Sequence, residues 1–133
     1  MKITNEQLSY ALLRITIGMA MFGHGLVRIP KLSVFAGGMI KGYDGTLPLA
    51  LVTPFAYALP FVEFAIGALL ILGLLTRYAL IAGALLMILL IFGCAIKENW
   101  EAIGTQLLYG GLYFILLRFL AQNAYAVDNL LRR

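Results

Sequence analysis

The sequence is short of charge. Only 12% of its 133 residues are Asp, Glu, Lys or Arg, about half the share that covers a soluble domain, so this chain cannot clothe a water-facing surface. It is equally short of residues that hold metals and redox centres, with one cysteine (Cys94) and one histidine (His24). A disulfide framework, a CxxC pair, a cysteine-rich metal site and a bis-histidine haem are therefore excluded within one chain. No metal site and no intrinsic cofactor is expected. Basic runs interleaved with aromatics are missing too, which leaves nucleic acid without support as a partner. The net charge of +4 at pH 7 suits membrane topology and anionic lipid instead.

What is present is apolar. Hydrophobic residues make up 62% of the chain, and they fall into runs of about 20, the length that crosses a bilayer core. Four spans are predicted, at about 8–27, 49–75, 78–96 and 103–120. Helices are the reading, because unpaired strands cannot satisfy their backbone groups in lipid. The first run follows Met1 and Lys2 as a signal peptide would. Arg14 interrupts it, however, and no small-residue cleavage site precedes Arg28 and Lys31, so it reads as a retained span. The predicted fold is an all-α transmembrane four-helix bundle in a single domain, with the lipid bilayer as its first partner.

The connections differ in kind. Leu74–Arg77 reads as a tight turn that makes the second and third spans antiparallel neighbours. Residues 97–102, KENWEA, read as an interfacial loop with Trp100 in the headgroup layer. Between the first two spans, PKLSVFAGGMIK has Pro30 at a helix start and apolar Leu32, Val34, Phe35, Met39 and Ile40. That pattern predicts a short interfacial helix, then a turn at GYDGT. Lys2, Arg77, Arg118, Arg132 and Arg133 collect on one side. Arg28, Lys31, Lys41 and Lys97 collect on the other, diluted by Asp44, Glu98 and Glu101. This bias places both termini in the cytoplasm.

Polar residues inside the apolar runs are the functional candidates. Glu63 lies near the middle of the second span, where a carboxylate costs a few kcal/mol without a cation or a wet cavity. Arg14 sits about 9 Å inside the first span. It is the expected partner, and the pair reads either as the floor of a pocket or as a packing key between helices. His24, one turn from the far end of the first span, reads as a satisfied interfacial histidine, or as a proton carrier or hydrogen-bonding group for a polar ligand head. Gln106, Tyr109 and Tyr113 form a stripe at i, i+3, i+7 on the fourth span, and read as core and belt residues or as a polar wall. Gly18, Gly25, Gly67 and Gly110, with Gly83, Gly104 and Gly111, read as helix-packing positions. Cys94 reads as an inert thiol, and Arg118 as a snorkelling cation.

The run LLRITIGMAMFGHGLVRIPK resembles the opening of DoxX-family membrane proteins: an arginine, a glycine four residues on, then an aromatic, His-Gly and a basic residue. LPFVEFAIGALLILGLLTRYAL resembles that family's next block, with Glu, Gly, an apolar stretch ending in Gly, and Thr-Arg. The matching positions are Arg14, Gly18, His24, Gly25, Glu63, Gly67, Gly73 and Arg77. Arg28 or Lys31 stands for the basic residue after His-Gly, Arg28 being the closer fit.

The resemblance implies a small subunit of a membrane redox system, in a bacterial or archaeal cytoplasmic membrane. A quinone or similar lipid-soluble ligand would sit in a polar pocket around Arg14 and Glu63. His24, Gln106 and Tyr109 would contact its head or relay a proton. With no cofactor motif of its own, the chain would draw electrons from a redox partner protein or a diffusible donor, and a homo-oligomer is expected. Two other readings stay open at this point. One is a small proton-coupled transporter, working as a dimer, with Glu63 as its proton site. The other is a non-catalytic membrane scaffold or assembly protein.

Overall fold

The computed structural model describes residues 2–132 and is all-helical, with no strand among the described residues. Met1 and Arg133, used above in reading the first span and the charge bias, lie outside them. Four long helices carry the fold: α1 (Asn5–Arg28), α3 (Leu49–Leu72), α4 (Thr76–Ile96) and α5 (Trp100–Arg118). Two short ones accompany them, α2 (Leu32–Gly42) between α1 and α3, and α6 (Val127–Leu131) near the C-terminus.

Each boundary has a local cause. Thr4 and Gln7 form a reciprocal capping box at the start of α1, with Gln7 N donating to Thr4 Oγ1 at 3.1 Å. Pro30 has no N–H for a continuing helix and turns α1 into α2 through a single 3-10 turn at Ile29–Lys31. Helix α3 stops three residues earlier than the second span was expected to end. Gly73 takes a left-handed φ of 68°, and Leu74 N bonds back to Leu69 O at 2.9 Å. Asn99 caps α5 through Ala102 N at 3.3 Å. Helix α6 was not anticipated.

Among the described residues, three helical segments are long and apolar enough to cross a membrane: Asn5–Gly42, Leu49–Leu72 and Thr76–Ile96. Helix α5, at 19 residues, is diluted by Glu101, Thr105, Gln106 and its glycines. The outer faces match a lipid solvent: Met19, Leu85, Ile88, Phe92, Leu108 and Phe114 all stand exposed.

Helix α1 packs chiefly on α3 and α4 on α5, while α2 lies against α3. Glycines set the α1–α3 contact. A Cβ at Gly18 would lie 3.0 Å from Leu70 Cβ, and one at Gly25 2.5 Å from the Pro60 carbonyl oxygen. A Cβ at Gly67 would collide with the Phe22 backbone. Three glycines thus fix the antiparallel register, with Gly18 level with Leu70 and Gly25 level with Pro60–Phe64. Gly110 does not share this role, contrary to expectation, because a Cβ there meets nothing within 4 Å. Helix α5 meets α4 through the buried Tyr113, and the small residue at that contact is Gly83, against the Tyr113 ring.

Candidate functional site

The register decides which charges meet. Glu63, only 4% exposed, lies level with the end of α1, and its partner is Arg28. Arg28 Nη1 donates to both carboxylate oxygens, at 2.8 and 2.9 Å. Among the described residues this is the one salt bridge. The Arg28 guanidinium also lies over the Phe35 ring of α2, 4.5 Å from its centroid, so an aromatic face supports the cation as well. Lys31, the other basic residue after His-Gly, is exposed.

The expected Arg14–Glu63 pair is therefore corrected. Gly18 lies against Leu70 and Ile71, so Arg14, one turn earlier, reaches the end of α3 rather than its middle. About 11 residues separate it from the level of Glu63, or roughly 16 Å along the axis.

Beside the Glu63–Arg28 pair lies a cavity of about 690 Å³. The end of α1, α2, α3, the end of α4 and the first half of α5 enclose it. His24, Glu63, Gln106 and Tyr109 line it together, with Arg28, Phe35, Met39, Thr105, Tyr43 and Lys97. On the α1 wall, His24 Nδ1 is 2.6 Å from Ala20 O. A carbonyl only accepts, so Nδ1 carries the hydrogen, and in the neutral ring Nε2 is left as an acceptor. Tyr109 meets the imidazole edge-on at 6.4 Å. On the α5 wall, Gln106 Nε2 donates to Cys94 Sγ at 3.3 Å, while Gln106 Oε1 is buried without a hydrogen-bond partner. Such an orphaned acceptor is costly unless a donor reaches it.

At the far end Lys97 Nζ sits 4.7 Å from the Tyr43 ring centroid. Burial, and to a smaller extent the neighbouring Cys94, push the Tyr43 phenol above its ordinary pKa. The cavity thus has an ionic floor, acceptors on two walls and an apolar, aromatic remainder. It can hold an amphiphile whose head offers both hydrogen-bond donors and acceptors. Among the described residues no three His, Cys, Asp or Glu side chains converge as metal ligands.

The DoxX family model matches residues 9–95, well over half of the chain. The chain belongs to the DoxX family. No curated protein and no solved structure matches it. The DoxX match takes in His24, Arg28 and Glu63 and stops before α5, so Gln106 and Tyr109 lie beyond it.

Two expected site residues fall outside the cavity lining. Tyr113 is 1% exposed and packs on Gly83, its hydroxyl buried without a partner. Arg14 belongs to a second polar cluster at the other end of the DoxX core. Its Nε donates to Leu70 O at 2.9 Å and Nη2 to Tyr125 O at 2.6 Å, while Nη1 donates to Asn123 Oδ1. Asn123 Nδ2 in turn donates to Thr76 Oγ1 at 3.1 Å. Asp128 accepts from Leu75 N at 2.7 Å and Thr76 N at 2.9 Å, capping α4 from a distant part of the chain. Burial pushes the Asp128 carboxyl up, but these bonds and nearby Arg132 outweigh it and hold the group below its usual range. Arg14 is thus spent on closing the turn between α3 and α4 under the C-terminal segment.

Sequence reasoning missed Arg28, Tyr43 and Lys97 at the cavity. A signal for Arg28 was present, since it shares the helical face of Gly18, Met21 and Gly25. Nothing local marked the other two.

Proposed function

We propose that this DoxX-family protein is a four-span integral membrane subunit, with α5 as the fourth span, that binds the polar head of a quinone or similar lipid-soluble ligand beside Glu63 and Arg28. Both termini lie in the cytoplasm of a bacterial or archaeal cell, and the cavity faces the opposite leaflet. The observation that carries the reading is the buried, partnerless Oε1 of Gln106, a residue of a cavity lining that also brings together Glu63, Arg28, His24, Thr105, Tyr43 and Lys97. Its volume of about 690 Å³ falls within the span of small-molecule pockets.

The roles follow from donor and acceptor chemistry. Arg28 has N–H groups beyond those given to Glu63, which suit a ring carbonyl. His24 Nε2 and Gln106 Oε1 accept, which suits a ring hydroxyl. A quinone offers carbonyls when oxidised and hydroxyls when reduced, so such a head answers both sets. Electrons come from a partner protein or a diffusible donor. Proton-coupled transport needs a carboxylate free to exchange its proton, whereas Arg28 donates to both oxygens of Glu63.

The test is titration of the purified protein with a short-chain benzoquinone and its reduced form. Gln106→Leu keeps the shape and removes the orphaned acceptor, so binding of the reduced form weakens about tenfold, in line with one lost hydrogen bond. Equal affinity of wild type and variant for both forms would overturn the assignment.

A further inference from the structure

A second cavity, of about 240 Å³, lies beside the first, between the 43–48 connection, the start of α3 and the end of α4. Apart from Tyr43 its lining is wholly apolar, including Leu51, Val52, Phe55, Leu89 and Phe92. Met39, Tyr43 and Leu90 line both cavities, so a single layer of side chains divides them. The Tyr43 ring is held in that layer from two sides. Lys97 Nζ lies over its face at 4.7 Å, and a Cβ at Gly93 would stand 2.6 Å from its hydroxyl. The lips of the second cavity face outward: Leu51 is 69% exposed and Leu89 57%.

We infer that the two cavities form one site, and that the second takes the alkyl or isoprenoid tail of the ligand whose head sits beside Glu63 and Arg28. The inference rests on the head-group reading above. It commits to the tail because the groove has no charge to recognise a head and adjoins the cavity that holds Glu63 and Arg28. Its lips open sideways, where lipid acyl chains would lie in the four-span arrangement. A head seated on the Glu63–Arg28 floor sends its chain through the layer of Met39, Tyr43 and Leu90, on the side of the two apolar residues. Length selectivity follows, since methylenes inside the groove are removed from both water and lipid competition, and those beyond it are not.

The experiment is a series of benzoquinones with one head and tails from one carbon to ten, titrated into the detergent-solubilised protein, with each affinity corrected for micelle partition. For the wild type, affinity rises with tail length, by up to about fourfold per buried methylene, and then levels off. Leu89→Trp fills the groove from an exposed lip; the one-carbon compound binds it as it binds wild type, and the rise stops at a shorter tail. Leu51→Trp does the same from the opposite lip, so the result does not depend on one variant folding. Superimposable length profiles for wild type and both variants would overturn the tail site and leave the head reading standing. If long tails bind in a Trp-sensitive way while the one-carbon compound does not bind, the groove holds a chain on its own, and the head reading and the single site both fall. If no compound binds, both fall together.

Discussion

Two arginines on one face of α1 have opposite fates. At one end Arg14, 2% exposed, hands its hydrogens to two backbone carbonyls and an asparagine side chain. It ties the C-terminal segment to the α3–α4 turn. At the other end Arg28, its side chain 30% exposed, meets one carboxylate and one aromatic ring at the edge of a large cavity, across from an acceptor without a donor. The guanidinium at the first end is saturated; at the second end an acceptor stays unsatisfied beside the cavity. An arginine inside a membrane helix does not by itself mark a functional pocket. What distinguishes the two is whether the groups around it are already satisfied.

Breaking the closed end gives the largest expected effect on stability. Arg14→Leu leaves the Leu70 and Tyr125 carbonyls and the Asn123 amide without their donor, a loss of about 3 kcal/mol or more. The thermal unfolding midpoint in detergent should fall sharply, whereas benzoquinone affinity of the surviving folded protein should hold. A loss of affinity with unchanged stability would reverse the two ends. Next comes the register between them. Gly67→Ala drives a methyl into the Phe22 backbone and should cost about 1–3 kcal/mol, while Gly110→Ala, facing open space, should be neutral or slightly stabilising. Thermal melts of the pair compare them directly.

The smallest effect belongs to Asp128. Its folded carboxyl titrates below the ordinary value of 3.8, so its contribution is present above that value and is lost as pH falls through the lower folded one. Asp128→Asn should lower the midpoint slightly at neutral pH and close the gap to wild type below about pH 4. A gap that widens on acidification would contradict the cap.

How much of this was legible follows from the range of each interaction. The long helices and α2 could be read because apolar runs and Pro30 act over a few residues. The stop at Gly73 is local too, but a left-handed glycine inside an apolar run looks like any packing glycine. His24, Glu63 and Gln106 stood out because polar groups in an apolar run are costly wherever they point. The choice between Arg14 and Arg28 could not be read that way. It depends on the register of α1 against α3, which three glycines and Phe22 set across more than 40 residues of chain. The same holds for Asp128 and Asn123, polar residues in a polar tail whose partners lie on a distant turn. Gly110 misled because glycine spacing signals close approach only where another helix arrives.

The central claim is that Glu63 works with Arg28 at the cavity and not with Arg14. A double-mutant cycle on benzoquinone affinity tests it most directly, with Glu63→Gln combined in turn with Arg28→Gln and Arg14→Gln. The account predicts that Glu63 and Arg28 are coupled by about 1 kcal/mol or more, and that Glu63 and Arg14 are additive within about 0.5 kcal/mol. Coupling of Glu63 to Arg14 with additivity toward Arg28 would contradict it.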